Sequence, residues 1–140
     1  MNPTIAGPAG LIYATFLGGS DGGEWIQDMD IGAGDTLYIT GTTNSTSSPG
    51  GFPVMNAYNP NYTPGCMLPQ VCGPNDAFLM KFKISPALGP NQLRYSSYFG
   101  GNGFDGACNI IYRNNLAYMT VQTSSGISGF PTTANAYDNT

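Results

Sequence analysis

Apolar and polar residues alternate with a period of two through seven stretches of this chain, the spacing that sends successive side chains to opposite faces of a β-strand. The stretches are LIYATFLG (11–18), WIQDMDIG (25–32), TLYITGTT (36–43), DAFLMKFKI (76–84), LRYSSYFG (93–100), ACNIIYR (107–113) and LAYMTVQT (116–123). β-Branched and aromatic residues are concentrated in them, as a pleated surface favours. GAGD (32–35) and RNN (113–115) separate two pairs of these stretches. Glycine and asparagine adopt positive φ cheaply, so both turns predict tight antiparallel hairpins. In DAFLMKFKI, Phe78, Met80 and Phe82 fall on one face while Ala77 and Leu79 fall on the other, so this strand is expected to be apolar on both sides. The predicted fold class is all-β.

The pattern repeats. YATFLGGSDGG (13–23) returns as YSSYFGGNGFDG (95–106). The loop NSTSSPGGFPVMNAYN after residue 43 is matched by SSGISGFPTTANAYDN after residue 123, each carrying Phe-Pro and then Asn-Ala-Tyr. Such self-similarity at a fixed period marks a repeat architecture. The division is one all-β repeat unit over 1–140, with copy one at about 11–92 and an incomplete copy two at about 93–140. Copy one alone carries a Cys/Pro-rich insertion at 59–75 and the Asp-Ala-Phe strand; copy two has no such strand.

Composition narrows the picture. Charged residues are 9% of the chain, against roughly 25% in an average domain, while hydrophobic residues are 41% and aromatics 12%. This is not the profile of a disordered polyelectrolyte. With 20 glycines and 11 prolines, the chain favours short strands and turns over helices. Four basic residues against eight acidic ones, a net charge of −4, leave no basic patch to neutralise phosphates, so nucleic acid is not an expected partner. No apolar run approaches the ~18 residues of a membrane span, and the amino-terminal stretch has no basic and apolar regions of a signal peptide. The expectation is an exported chain whose signal lies elsewhere.

The landmarks DAFLMKF, LRYSSYFGG, LYITGTTNS and GFPTTANAY, taken in the cyclic order of a repeat, resemble the bacterial β-propeller repeat called SBBP. The resemblance covers most of residues 11–137. It implies four-stranded antiparallel blades around an axis, in exported, often large and modular cell-surface proteins. On that template 25–32, 36–43, 76–84 and 93–100 make one complete blade, 11–18 is the last strand of a preceding blade, and 107–113 with 116–123 begin a following one. The cysteine-bearing insertion departs from the pattern, and the second hairpin lacks its usual acidic residue and glycine. A propeller closes with about four to eight blades, so an open blade would bury its two apolar faces against neighbours in a longer chain or in identical subunits. The vacant third strand of copy two invites β-augmentation.

Candidate chemistry is sparse. There is no histidine, which removes Ser-His-Asp and Cys-His arrangements. Asp28 and Asp30 share one strand face about 7 Å apart, a spacing that would suit a two-carboxylate glycosidase, although bonding to loop amides or a solvated strand end accounts for them as well. Asp21, Glu24 and Asp105 lie in glycine-rich turns and are calcium candidates without the regular acid alternation of known calcium loops. Cys66 and Cys72 flank CMLPQVC and are a disulfide candidate, whereas Cys108 reads as a buried strand cysteine. Three thiols without histidine match no zinc spacing. Asn44-Ser45-Thr46 and Asn61-Tyr62-Thr63 fit the N-glycosylation pattern. Gly18, Gly19, Gly100 and Gly101 are read as turns at blade edges. Tyr58, Tyr62 and Trp25 are the aromatics that could stack on a sugar.

The expected function is therefore a non-catalytic extracellular structural module, stabilised by stacking and strand complementation, with no cofactor and no metal. The alternative is a carbohydrate-binding or adhesive surface module built on those aromatics.

Overall fold

The computed structural model describes residues 1–64, 75–126 and 129–138. The fold is all-β: strands β1 (Glu24–Gly32), β2 (Thr36–Thr43), β3 (Asp76–Lys83), β4 (Leu93–Phe99), β5 (Asp105–Arg113) and β6 (Leu116–Thr123), with two short 3-10 turns at Pro8–Gly10 and Pro86–Gln92. β1 to β4 form a four-stranded sheet in sequence order, and β5 with β6 forms a two-stranded one. Every ladder is antiparallel. No helix among the described residues is long and apolar enough to cross a membrane.

Turn chemistry sets the hairpins. In the β5–β6 turn Asn114 and Asn115 sit at φ 52° and 64°, the double left-handed conformation of a two-residue hairpin. Gly34 and Asp35 take the same region between β1 and β2. Both ladders also carry one bulge at the same relative place. The register slips between Ile26 and Asp28 in β1 and between Ala107 and Asn109 in β5, so Gln27 and Cys108 are the extra residues. This overturns the expectation of a buried Cys108: its thiol is free and exposed, because the bulge takes it out of the alternation that buries Ala107.

The core lies on one face of the larger sheet. Ile39, Phe78, Met80, Phe82 and Tyr98 pack there with Phe52. Phe52 reaches this core from the loop after β2, its ring 5.1 Å from Phe78 and 5.0 Å from Tyr98. The same loop then covers the outer edge of β4. Met55 and Ser96 exchange backbone hydrogen bonds, and Tyr98 donates its N–H to the Asn59 carbonyl. An edge that would otherwise offer unpaired amides is thereby closed.

The stretch 11–18 is not a strand. It runs extended across the core face, where Tyr13 and Leu17 pack against the cluster, but it joins no ladder. Its counterpart β4 is a strand because β3 lies beside it, and residues 1–10 supply no strand for 11–18.

The two-stranded sheet packs on the opposite face, with β5 against β1, β2 and β3. Tyr112 stacks on Tyr38 with ring centres 4.0 Å apart, and Met119 meets the Thr40 hydroxyl. Asp28 and Asp30 make the joint. Their Oδ2 atoms accept the N–H groups of Ile110 (2.9 Å) and Tyr112 (2.7 Å), and their Oδ1 atoms accept those of Met29 and Ile31. Those two β5 amides face away from β6, so the carboxylates satisfy a strand edge in place of a neighbouring strand.

Candidate functional site

Two features could carry function: the junction where one repeat hands over to the next, and a cleft beside it. The junction is built twice. In copy one the Gly19 N–H is donated to Glu24 Oε2 at 3.2 Å, and in copy two the Gly101 N–H is donated to Asp105 Oδ2 at 2.8 Å. Ser45 N bonds Thr43 Oγ1, and Ser125 N bonds Thr123 Oγ1. The glycines serve close approach. A Cβ on Gly19 would stand 2.6 Å from the Gly51 carbonyl carbon, and one on Gly101 would stand 2.4 Å from that of Gly129. The backbone ahead of each Phe-Pro thus passes directly over the glycine pair. Of the four edge glycines, only Gly18 has a positive φ.

At the second junction two acids converge. Asp76 opens β3 and Asp105 opens β5; both are fully buried. A Cβ on Gly100 would lie 2.8 Å from Asp76 Oδ1 and 2.8 Å from Asp105 Oδ2, so the two carboxylates meet on the bare face of that glycine. Asp76 Oδ2 accepts the Thr63 N–H at 3.0 Å, and Asp105 Oδ2 accepts both Gly101 N–H and Ser125 Oγ. Among the described residues, Asp76 Oδ1 and Asp105 Oδ1 have no hydrogen-bond donor. Burial, followed by the neighbouring Asp105 charge, pushes the Asp76 carboxyl up to about 7, against the opposing pull of the Thr63 N–H. Burial and the Asp76 charge push the Tyr62 phenol up to about 12.

Above this pair Tyr58, Asn59, Thr63, Phe99, Asn102 and Pro131 line an open cleft of about 590 Å³. Tyr58 leans on Phe99, with ring centres 6.2 Å apart, and is 67% exposed. Its mixture of aromatic rings and amide side chains is chemically suited to a neutral polar ligand.

The chain matches no family model, no curated protein and no solved structure.

The aromatics singled out from sequence do not form one surface. Trp25 lies on β1, at the far edge of the sheet from Tyr58 and Tyr62, which flank β4. Tyr62 packs on Tyr98 at the core, whereas Tyr58 leans on Phe99 in the cleft. Asp21 and Glu24 belong to the first junction and Asp105 to the second. Asp21 accepts hydrogen bonds from Thr46 and Ser48, which hold its carboxyl below the usual range. Glu24 uses both oxygens, on Gly19 N–H and Thr43 Oγ1. No group of three metal-ligating side chains occurs among the described residues. Cys66 and Cys72 lie outside the described residues, as does most of the 59–75 insertion. The Asn44 side chain is occupied, its Oδ1 accepting the Gly23 N–H at 2.7 Å.

Sequence reasoning missed Asp76. It was legible only as the first letter of the Asp-Ala-Phe landmark, where it reads as the start of a strand. Nothing local in the sequence brings it to Asp105.

Proposed function

We propose that this chain is a non-catalytic, exported structural module of β-propeller type, whose blades are stabilised by stacking on one another within a longer chain or between copies. The observation that carries this reading is the repetition of the junction, a glycine N–H held by a carboxylate and then a strand with a bulge at the same place, before β1 and again after β4. A structure that joins one sheet to the next by the same contacts is built for propagation. Unfilled surface points the same way. Among the described residues β6 has no strand on its outer side. An open cleft of about 440 Å³, lined by Leu79, Tyr95, Phe99, Ala117 and Met119 among others, lies where third and fourth strands of the second sheet would pack. On the other side of that sheet Ile111, Leu116 and Tyr118 are each more than half exposed. Light scattering over a concentration series tests assembly between copies, and a tandem fusion of the chain to itself tests stacking within one polypeptide. The expected results are a mass rising above 14.7 kDa and a fusion that melts above the single chain. A constant single-chain mass together with an unchanged melting temperature would overturn the proposal.

A second reading, a carbohydrate-binding or adhesive module, rests on the cleft that holds Tyr58, Asn59 and Asn102. It predicts glycan-array binding that Tyr58→Ala abolishes and Trp25→Ala leaves intact; an array with no signal sinks it.

A further inference from the structure

We propose that Asp76 and Asp105 bind one hard divalent cation, of the calcium class, that ties the first repeat to the second. The two carboxylates are fully buried and converge on Gly100. Two legs of 2.8 Å put Asp76 Oδ1 and Asp105 Oδ2 at most 5.6 Å apart, so one ion with calcium–oxygen bonds of about 2.3–2.6 Å can reach both carboxylates. Neither acid is offset by a lysine or arginine: what acts on Asp76 is burial, the Thr63 N–H and the Asp105 charge. Each carries one oxygen without a donor, and a buried carboxylate left in that condition is costly.

A proton does not resolve the arrangement. Placed on Asp76 Oδ1 it would meet Asp105 Oδ2, which already accepts two hydrogen bonds, and it would leave Asp105 Oδ1 unsatisfied. A cation can bridge Asp76 Oδ1 and Asp105 Oδ1, the two oxygens that lack a donor, and it balances two negative charges. The donor set is oxygen only, which selects hard ions over thiophilic ones. Calcium tolerates irregular cages completed by main-chain carbonyls, whereas magnesium demands octahedral order and keeps its waters. The first junction serves as an internal control. Glu24, in the place of Asp105, has a donor on each oxygen, Gly19 N–H on one and Thr43 Oγ1 on the other, and leaves neither unpartnered as Asp105 Oδ1 is, so one ion per chain is expected.

The test uses the full chain, stripped with chelator and titrated with calcium chloride by calorimetry and by thermal melting. The expected result is one site per chain, with a melting temperature raised by roughly 5–10 °C at a hundredfold excess over Kd. Asp76→Asn and Asp105→Asn should abolish the heat, and Glu24→Gln should retain it. Should an Asn variant fail to fold, calorimetry on the native chain still decides. Absence of calcium binding to the stripped chain, with stability climbing as pH falls from about 7 towards 4, would place a proton at the site and overturn the proposal. So would calcium binding that survives in folded Asp76→Asn and Asp105→Asn.

Discussion

Glycine at the junction is required by contact more than by conformation. Gly101 has ordinary backbone angles, yet a methyl group there would stand 2.4 Å from the Gly129 carbonyl. Gly101→Ala should cost about 1–3 kcal/mol by chemical denaturation, the usual penalty for overpacking. Gly126, with open space around it and no positive φ, is the matched control, and Gly126→Ala should leave the denaturation midpoint within error. Asp28 is the residue through which acid should act. The N–H groups of Ile110 and then Met29 hold its carboxyl below the ordinary value of 3.8. A depressed folded value contributes stability above the unfolded one and loses it as pH falls through the folded one. Asp28→Asn should therefore flatten the acid limb of a stability profile measured below about pH 4. The sequence placed both acids on one strand face but could not say that they cap the amides of a strand 82 residues further on.

At the scale of the element, period-two alternation located the six strands and both tight turns, because burying one face of a strand imposes that period on the sequence. It failed in two places, and for different reasons. A bulge is an inserted residue with no signature of its own, so the alternation around Cys108 read as unbroken. Peptide mapping of the folded protein after alkylation should find Cys108 modified at once; protection until unfolding would contradict its exposure. The stretch 11–18 has the composition of a strand but not the neighbour, and a strand exists only in a ladder. Loops behaved in the opposite way. The Phe-Pro landmark, readable as a repeat signature, proves to be a core element: Phe52→Ala should cost about 3–5 kcal/mol. Its copy Phe130 is half-buried against Phe99, so Phe130→Ala should cost less than half as much in the same denaturation assay.

For the whole molecule, stability should fall off from the middle of the large sheet outwards. β2 and β3 are paired on both sides and hold most of the core, whereas β6 has one neighbour and an exposed outer face. Native-state hydrogen exchange should show the slowest amides in β2 and β3 and fast exchange along the outer edge of β6; uniform protection would mean that this edge is covered in solution. Repeat identity, strand positions and the scarcity of charge were written locally, in alternation, turn residues and composition, and the sequence alone determined them. Which side chains meet across the junction was not local. The burial of Asp76 against Asp105, the capping of β5 by Asp28 and Asp30, and the glycines that must stay bare arise where segments distant in the chain are packed within a few ångströms. Only the tertiary structure decides such contacts, because the residues that make them carry no shared pattern along the sequence.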